Sequence, residues 1–216
     1  MGFRERVALT ATIVLLWGSA AVAQITDLKE IVVIMQDDTG MASSVRRRAE
    51  RDVSAVLLAA GVQVVWINCQ KGSHDNDCGH VLGPSEFEIH IVPTGKTRSE
   101  LVFGEAFLGE NGSGKYADIF LQRIEGAEGA SGVDLSRLLG AVCAHELGHL
   151  LLGSQAHSTA GIMQPIWKQD ALVKIGMGLM LFTGQESRTM RERLGRARLV
   201  LSSIRVPNRS TVDGWF

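Results

Sequence analysis

The chain has 216 residues and a near-even charge, 22 Lys and Arg against 23 Asp and Glu, for a formal net charge of −1. A nucleic-acid binder would carry a basic face; this balance excludes that class, and no nucleic-acid partner is expected. With 45% hydrophobic residues the chain can bury a sizeable core in one compact domain.

The N-terminus reads as a secretory signal over residues 1–23. Arg4 and Arg6 precede an apolar run from Val7 to Trp17, and Ala21-Val22-Ala23 forms an A-x-A cleavage site before Gln24. The run is short for a membrane span, and no later stretch is long and apolar enough to be one. The expectation is a secreted or periplasmic monomer with no stable membrane span after cleavage; a retained N-terminal anchor is the alternative. Residues 24–216 then form a single domain. An exported chain permits disulfides. Cys69 and Cys78 bracket a polar loop and suit a local bridge, whereas Cys143, inside an apolar stretch, reads as a buried thiol.

Residues 31–35 (Ile-Val-Val-Ile-Met) are a short apolar run of buried-strand type, ended by Asp37-Asp38-Thr39-Gly40. Residues 42–60 place Val45, Ala49, Val53, Val56, Leu57 and Ala60 on one helical stripe, closed by Gly61. A β-rich run at 62–68 follows, and strand, helix, strand in this order predicts a right-handed βαβ unit. Residues 87–93 alternate Phe87, Ile89 and Ile91 against Glu88 and His90, the pattern of a half-exposed strand. His90 is thus a lone imidazole on a polar face and a weak ligand candidate, as are His74 and His80. Residues 101–108 read as a strand broken by Gly104, residues 116–124 as another strand, and residues 126–132 as a Gly/Ala-rich connection.

Asp134 or Ser136 can cap the helix that comes next. Its apolar residues, Leu138, Leu139, Val142, Leu147, Leu150 and Leu151 among them, surround His145 and His149, which are four apart and so lie on one helix face. That is the bite a tetrahedral zinc ion asks of two imidazoles. Glu146 projects beside the metal rather than onto it, where a carboxylate can take a proton from an activated water and pass it to a leaving amine. Gly153 stops the helix, and His157 follows as a third candidate ligand. Three protein ligands and one open position describe a catalytic zinc site; four would close a structural one. Asp170 and Glu186 are the alternative third ligands.

His145-Glu146-x-x-His149, a glycine, His157-Ser158 and then Gly161-Ile162-Met163-Gln164-Pro165 together resemble the metzincin zinc metallopeptidases. The His-Ser…Ile-Met-x-Pro run is most similar to the matrixin version. The resemblance implies that His145, His149 and His157 bind Zn²⁺, that Glu146 is the general base, and that Met163 belongs to a Met-turn forming an apolar floor beneath the ion. It also implies an α+β fold: a twisted mixed five-stranded sheet backed by helices, an active-site helix, and a small C-terminal subdomain ending in a helix. Residues 24–153 would form the upper part and 154–216 the lower. Residues 104–107 would then line the cleft as an edge strand able to hold an extended peptide, with a plain hairpin strand as the alternative. The chain departs from the metzincin spacing HExxHxxGxxH: its glycine comes four residues after His149 and His157 comes eight after, two more than usual. A loop can absorb that difference. Tyr116 is the only tyrosine, so the tyrosine that many metzincins place after the methionine is lacking here, as in matrixins.

Beyond Met163, residues 171–182 are apolar with two glycines and carry no clear period. Thr183-Gly184-Gln185-Glu186 reads as a capping box, opening a helix to about residue 201 with Met190, Leu194, Ala197 and Leu201 as its inward stripe. That role competes with metal ligation by Glu186. The expectation is a secreted zinc-dependent endopeptidase acting on a peptide or protein substrate through a zinc-activated water, with Glu146 as base. A non-catalytic zinc-containing binding protein and a zinc amidohydrolase acting on a non-protein amide are the alternatives.

Overall fold

The apolar runs of the N-terminal half assemble into one sheet. The computed structural model describes residues 28–70, 78–96 and 102–203. Strands β1 (Lys29–Asp37), β2 (Val62–Gln70), β3 (Glu86–Val92), β4 (Gly104–Phe107) and β5 (Tyr116–Phe120) lie in the order β2-β1-β3-β5-β4. β1 is parallel to β2 and β3, and β3 is parallel to β5; β4 pairs antiparallel with β5 and forms one edge. The chain passes from β1 to β2 through helix α1 (Ser43–Ala59), as the βαβ reading requires. The expected mixed five-stranded α+β architecture is what the chain adopts.

Alternation decides which face of the sheet is covered. Ile31, Val33 and Met35 of β1, Phe87, Ile89 and Ile91 of β3, and Ala117 and Ile119 of β5 are all buried in one core cluster. Ala49, Val53 and Leu57 of α1 pack into the same cluster, as does helix α3 (Leu135–Leu152). In the next register row, Gln36, His90, Asp118 and Glu105 stand beside one another across β1, β3, β5 and β4. α3 is buried on every side from Leu138 to Leu151, which explains why its sequence lacks a polar stripe. Gly140 lets α1 come close, since a Cβ there would stand 3.0 Å from Asp52 Cβ and 3.2 Å from the Ala49 carbonyl oxygen. An ion pair of 2.6 Å from Arg137 to Asp52 clasps the same two helices.

Two expectations need correction. The strand expected over residues 116–124 ends at Phe120, and residues 121–131 form helix α2 (Leu121–Ser131) instead of a strand end and a loose connection. Leu121 and Ile124, taken as the end of that strand, stand three apart on the buried side of a helix. A Cβ at Gly126 or Gly129 would meet nothing within 4 Å, so neither glycine serves a close contact; both weaken this helix without breaking it. The strand expected over residues 101–108 is confined to β4, with Leu101 outside the described residues.

Past α3 the chain forms α4 (Gln169–Gly176) and α5 (Gly184–Ser203). The capping box forms as expected: the Thr183 N–H donates to Glu186 Oε2 at 2.7 Å, and the Glu186 N–H to Thr183 Oγ1 at 3.3 Å. Cys69 and Cys78 are bridged, with 5.8 Å between their Cα atoms, and Cys143 is a buried free thiol. Among the described residues no helix is long and apolar enough to cross a membrane. The signal expected over residues 1–23, His74 and the tail from Pro207 lie outside the described residues.

Candidate metal centre

Helix α3 carries the centre because both of its ends are fixed. Asp134 caps the start, its carboxylate accepting the Ser136 N–H at 2.9 Å, and Glu128 accepts the Leu135 N–H at 2.9 Å. At the other end Gly153 takes a left-handed conformation (φ 62°) and returns its N–H to the His149 carbonyl at 2.8 Å. The chain then doubles back through residues 154–158, which sets the His157 ring 4.9 Å from that of His149 and 5.3 Å from that of His145, centroid to centroid. One nitrogen of each ring lies within 4.8 Å of the others, an arrangement positioned to bind a metal ion.

The other candidates stand elsewhere. Glu186 is engaged in its capping box and also accepts a hydrogen bond from the Ser158 hydroxyl. Asp170 is exposed in the first turn of α4. His90 lies between two carboxylates, 3.0 Å from Asp38, just past β1, and 3.6 Å from Asp118 of β5, and His80 pairs with Glu86 at 2.9 Å. Among the described residues no other group of three or more potential ligands converges in this way.

The donor set fits a divalent ion such as zinc. His145 Nδ1 lies 2.8 Å from the Ile162 carbonyl oxygen and His149 Nδ1 lies 2.7 Å from that of Ser154. A carbonyl can only accept, so each Nδ1 carries the proton and each Nε2 presents a lone pair. Those two Nε2 atoms are 3.1 Å apart. Two lone pairs facing each other at that distance make no hydrogen bond; a shared cation resolves them, and zinc–nitrogen bonds of about 2.0–2.1 Å suit such a separation. The carbonyls act as the outer partners that fix tautomer and ring orientation. Burial makes both rings harder to protonate: His145 is held down to about 4, with the neighbouring imidazoles adding to the effect, and His149 is shifted the same way. Both are therefore neutral, as ligands must be, at ordinary pH.

Glu146 sits between α3 and the edge strand. It is buried, and burial pushes its carboxyl up to about 8, opposed by a hydrogen bond from the Ala106 N–H and assisted by the Glu105 carboxylate. Gly104 makes the room: a Cβ there would lie 2.7 Å from Glu146 Cγ and 2.9 Å from its Oε1. Sequence pattern showed Gly104 only as a break in a strand, because the side chain it accommodates is far along the chain.

Beneath the helix Met163 is fully buried, and the helix glycine between Leu147 and His149 lets it in. A Cβ on Gly148 would stand 2.4 Å from the Met163 sulfur and 2.8 Å from Phe182 Cε1. The turn is tied to the third histidine, with the Ser158 N–H donating to the Met163 carbonyl at 2.9 Å. Trp167, read in the sequence only as a continuation of the turn, stands edge-on to His145 at 5.8 Å and donates its indole N–H to the Ile162 carbonyl at 3.3 Å. Gln155, which no sequence signal singled out, donates its side-chain amide to the Ala106 carbonyl of β4 at 2.7 Å. A cleft of about 630 Å³ opens over these groups, with Val102, Phe103, Leu138, Val142 and Trp167 on its apolar side.

No protein-family model matches the chain, and no curated protein matches it. A solved structure does: a zinc-dependent peptidase from Methanocorpusculum labreanum (strain Z), at 17% identity and a TM-score of 0.51, covering 73% of this chain and 99% of that one. The chain has that peptidase's fold. An archaemetzincin from Methanopyrus kandleri also matches, at 17% identity and a TM-score of 0.47, covering 77% of this chain and 97% of that one.

Proposed function

We propose that the protein is an exported zinc-dependent endopeptidase in which His145, His149 and His157 hold the ion and Glu146 is the general base. The observation that carries this reading is the juxtaposition of three converging imidazoles and a buried carboxyl beside the edge strand of a sheet. Zinc, when bound, supplies Lewis acidity toward a carbonyl oxygen and toward water. The chain supplies the rest. Gly104, on the edge strand, offers its main-chain groups to an extended peptide, which would add as a further strand. The apolar wall of Val102, Phe103, Leu138, Val142 and Trp167 suits an apolar side chain next to the scissile bond. Glu146 takes the proton of the attacking water and returns it to the departing amine; a bound cation beside it would favour the ionised form that this task needs. The Cys69–Cys78 bridge supports an oxidising compartment, in keeping with the expected signal peptide.

The test is hydrolysis of casein and of quenched peptides by the zinc-loaded protein. Glu146→Gln should lose about 10²- to 10⁴-fold in kcat and keep its zinc, whereas His149→Ala should lose both zinc and activity. Chelation should abolish turnover and added zinc restore it. Undiminished proteolysis by Glu146→Gln would remove the assigned base, and a zinc-loaded wild-type protein that cleaves neither casein nor peptides would leave a non-catalytic zinc-binding protein or an amidohydrolase acting on a non-protein amide.

A further inference from the structure

The edge strand beside the metal centre has part of its outward side engaged by the protein's own groups. β4 pairs with β5 in the register Gly104↔Ile119 and Ala106↔Ala117, and the Phe120 N–H donates to the Phe103 carbonyl at 2.8 Å. In an antiparallel pair the hydrogen-bonded positions alternate. Residues 103, 105 and 107 therefore face β5, and the N–H and C=O groups of Gly104 and Ala106 point outward to the cleft. Both outward groups of Ala106 have internal partners: its N–H donates to Glu146, and its carbonyl accepts the Gln155 amide at 2.7 Å. A peptide adding to this edge along its length needs that carbonyl as an acceptor for one of its own N–H groups.

We infer that Gln155 is a side-chain latch on the substrate edge, holding the Ala106 carbonyl until the main chain of an extended peptide displaces it. This deepens the proposed function and rests on it for the identity of the occupant. The segment that carries Gln155 is pinned on both sides. The Ser154 carbonyl holds His149, the Ala156 N–H bonds the Ser154 hydroxyl at 3.1 Å, and His157 belongs to the centre itself. Release is thus a rotation of one exposed side chain, with the loop and the imidazoles left in place. Because opening exchanges one amide–carbonyl hydrogen bond for another, the latch sets binding strength and leaves the chemical step alone.

The test uses the zinc-loaded full chain with fluorescein-labelled octapeptides of mixed sequence whose central amide is reduced to CH₂–NH and resists cleavage, alongside the matching cleavable amides. Gln155→Ala and Gln155→Glu both remove the donor, the second at constant size. Each should lower Kd and KM by about threefold to tenfold, the worth of one freed acceptor, with the change read in KM rather than kcat and with zinc content and thermal midpoint retained. Unchanged or weaker binding in both variants overturns the latch and makes Gln155 a strut or a substrate contact. If the amides are not cleaved yet reduced-amide binding tightens, the latch stands and the peptidase reading falls. If they are cleaved and binding does not tighten, the reverse holds.

Discussion

Glu146 can stand where it does because residue 104 has no side chain. Gly104→Ala would bring a Cβ to 2.7 Å from Glu146 Cγ and 3.0 Å from the Asp118 carbonyl, so the carboxyl must move. For a carboxyl in the proposed role of base, a misplacement of about 1 Å costs up to about 100-fold in rate. Gly104→Ala should therefore lower kcat about 10- to 100-fold while zinc content, measured by elemental analysis, stays at the wild-type level; an unchanged kcat would show that the carboxyl has another place to stand. The residues of the centre differ in how plainly the chain announces them. His145, Glu146 and His149 could be read at once, because their spacing is local and helical. His157 required a turn of unusual length to close on the first two, and it does close. Gly104, Gly148, Gln155 and Trp167 act on partners from other elements, and no local pattern marks such a role.

Among the elements, those whose signals are short-range formed where the pattern placed them: β1, α1, β3, α3 with its Asp134 and Gly153 ends, and the capping box of α5. α2 was legible only as composition. Its glycines suggested a loop, yet a helix with one buried edge tolerates them at a modest cost in propensity. The start of α5 also serves the metal centre, since Glu186 accepts the Ser158 hydroxyl next to His157 as well as the Thr183 N–H. Glu186→Ala should destabilise the fold by about 1–2 kcal/mol through the lost cap. It should also weaken zinc binding, as the loop behind His157 loses its anchor. Denaturant unfolding and a competitive chelator titration measure the two effects, and Glu186→Gln, which keeps an acceptor, should restore part of each.

At the scale of the whole molecule, the buried titratable groups shape stability in the metal-free protein. His145 and His149 bind protons less readily folded than unfolded, so their contribution is present above pH 6.5 and is lost as pH falls, for His145 through about 4. Glu146 works in the opposite sense. Its carboxyl is raised from 4.5 to about 8, so the folded state holds that proton more tightly and stability falls as pH rises through this window. The two trends oppose each other below pH 6.5, and only Glu146 remains above it. Unfolding free energy without metal should therefore peak near pH 6.5 and drop by about 2 kcal/mol by pH 8. Glu146→Gln should flatten that alkaline limb, and an unaltered limb would assign it to other groups.

The ring positions on α3 depend on acceptors that come later in the chain, Ser154 for His149 and Ile162 for His145, while the third imidazole also follows the helix. A ribosome-bound fragment ending at Leu152 would contain the whole HExxH motif and still lack the means to orient it. The metal-binding geometry thus arrives only when synthesis has passed the Met163 turn.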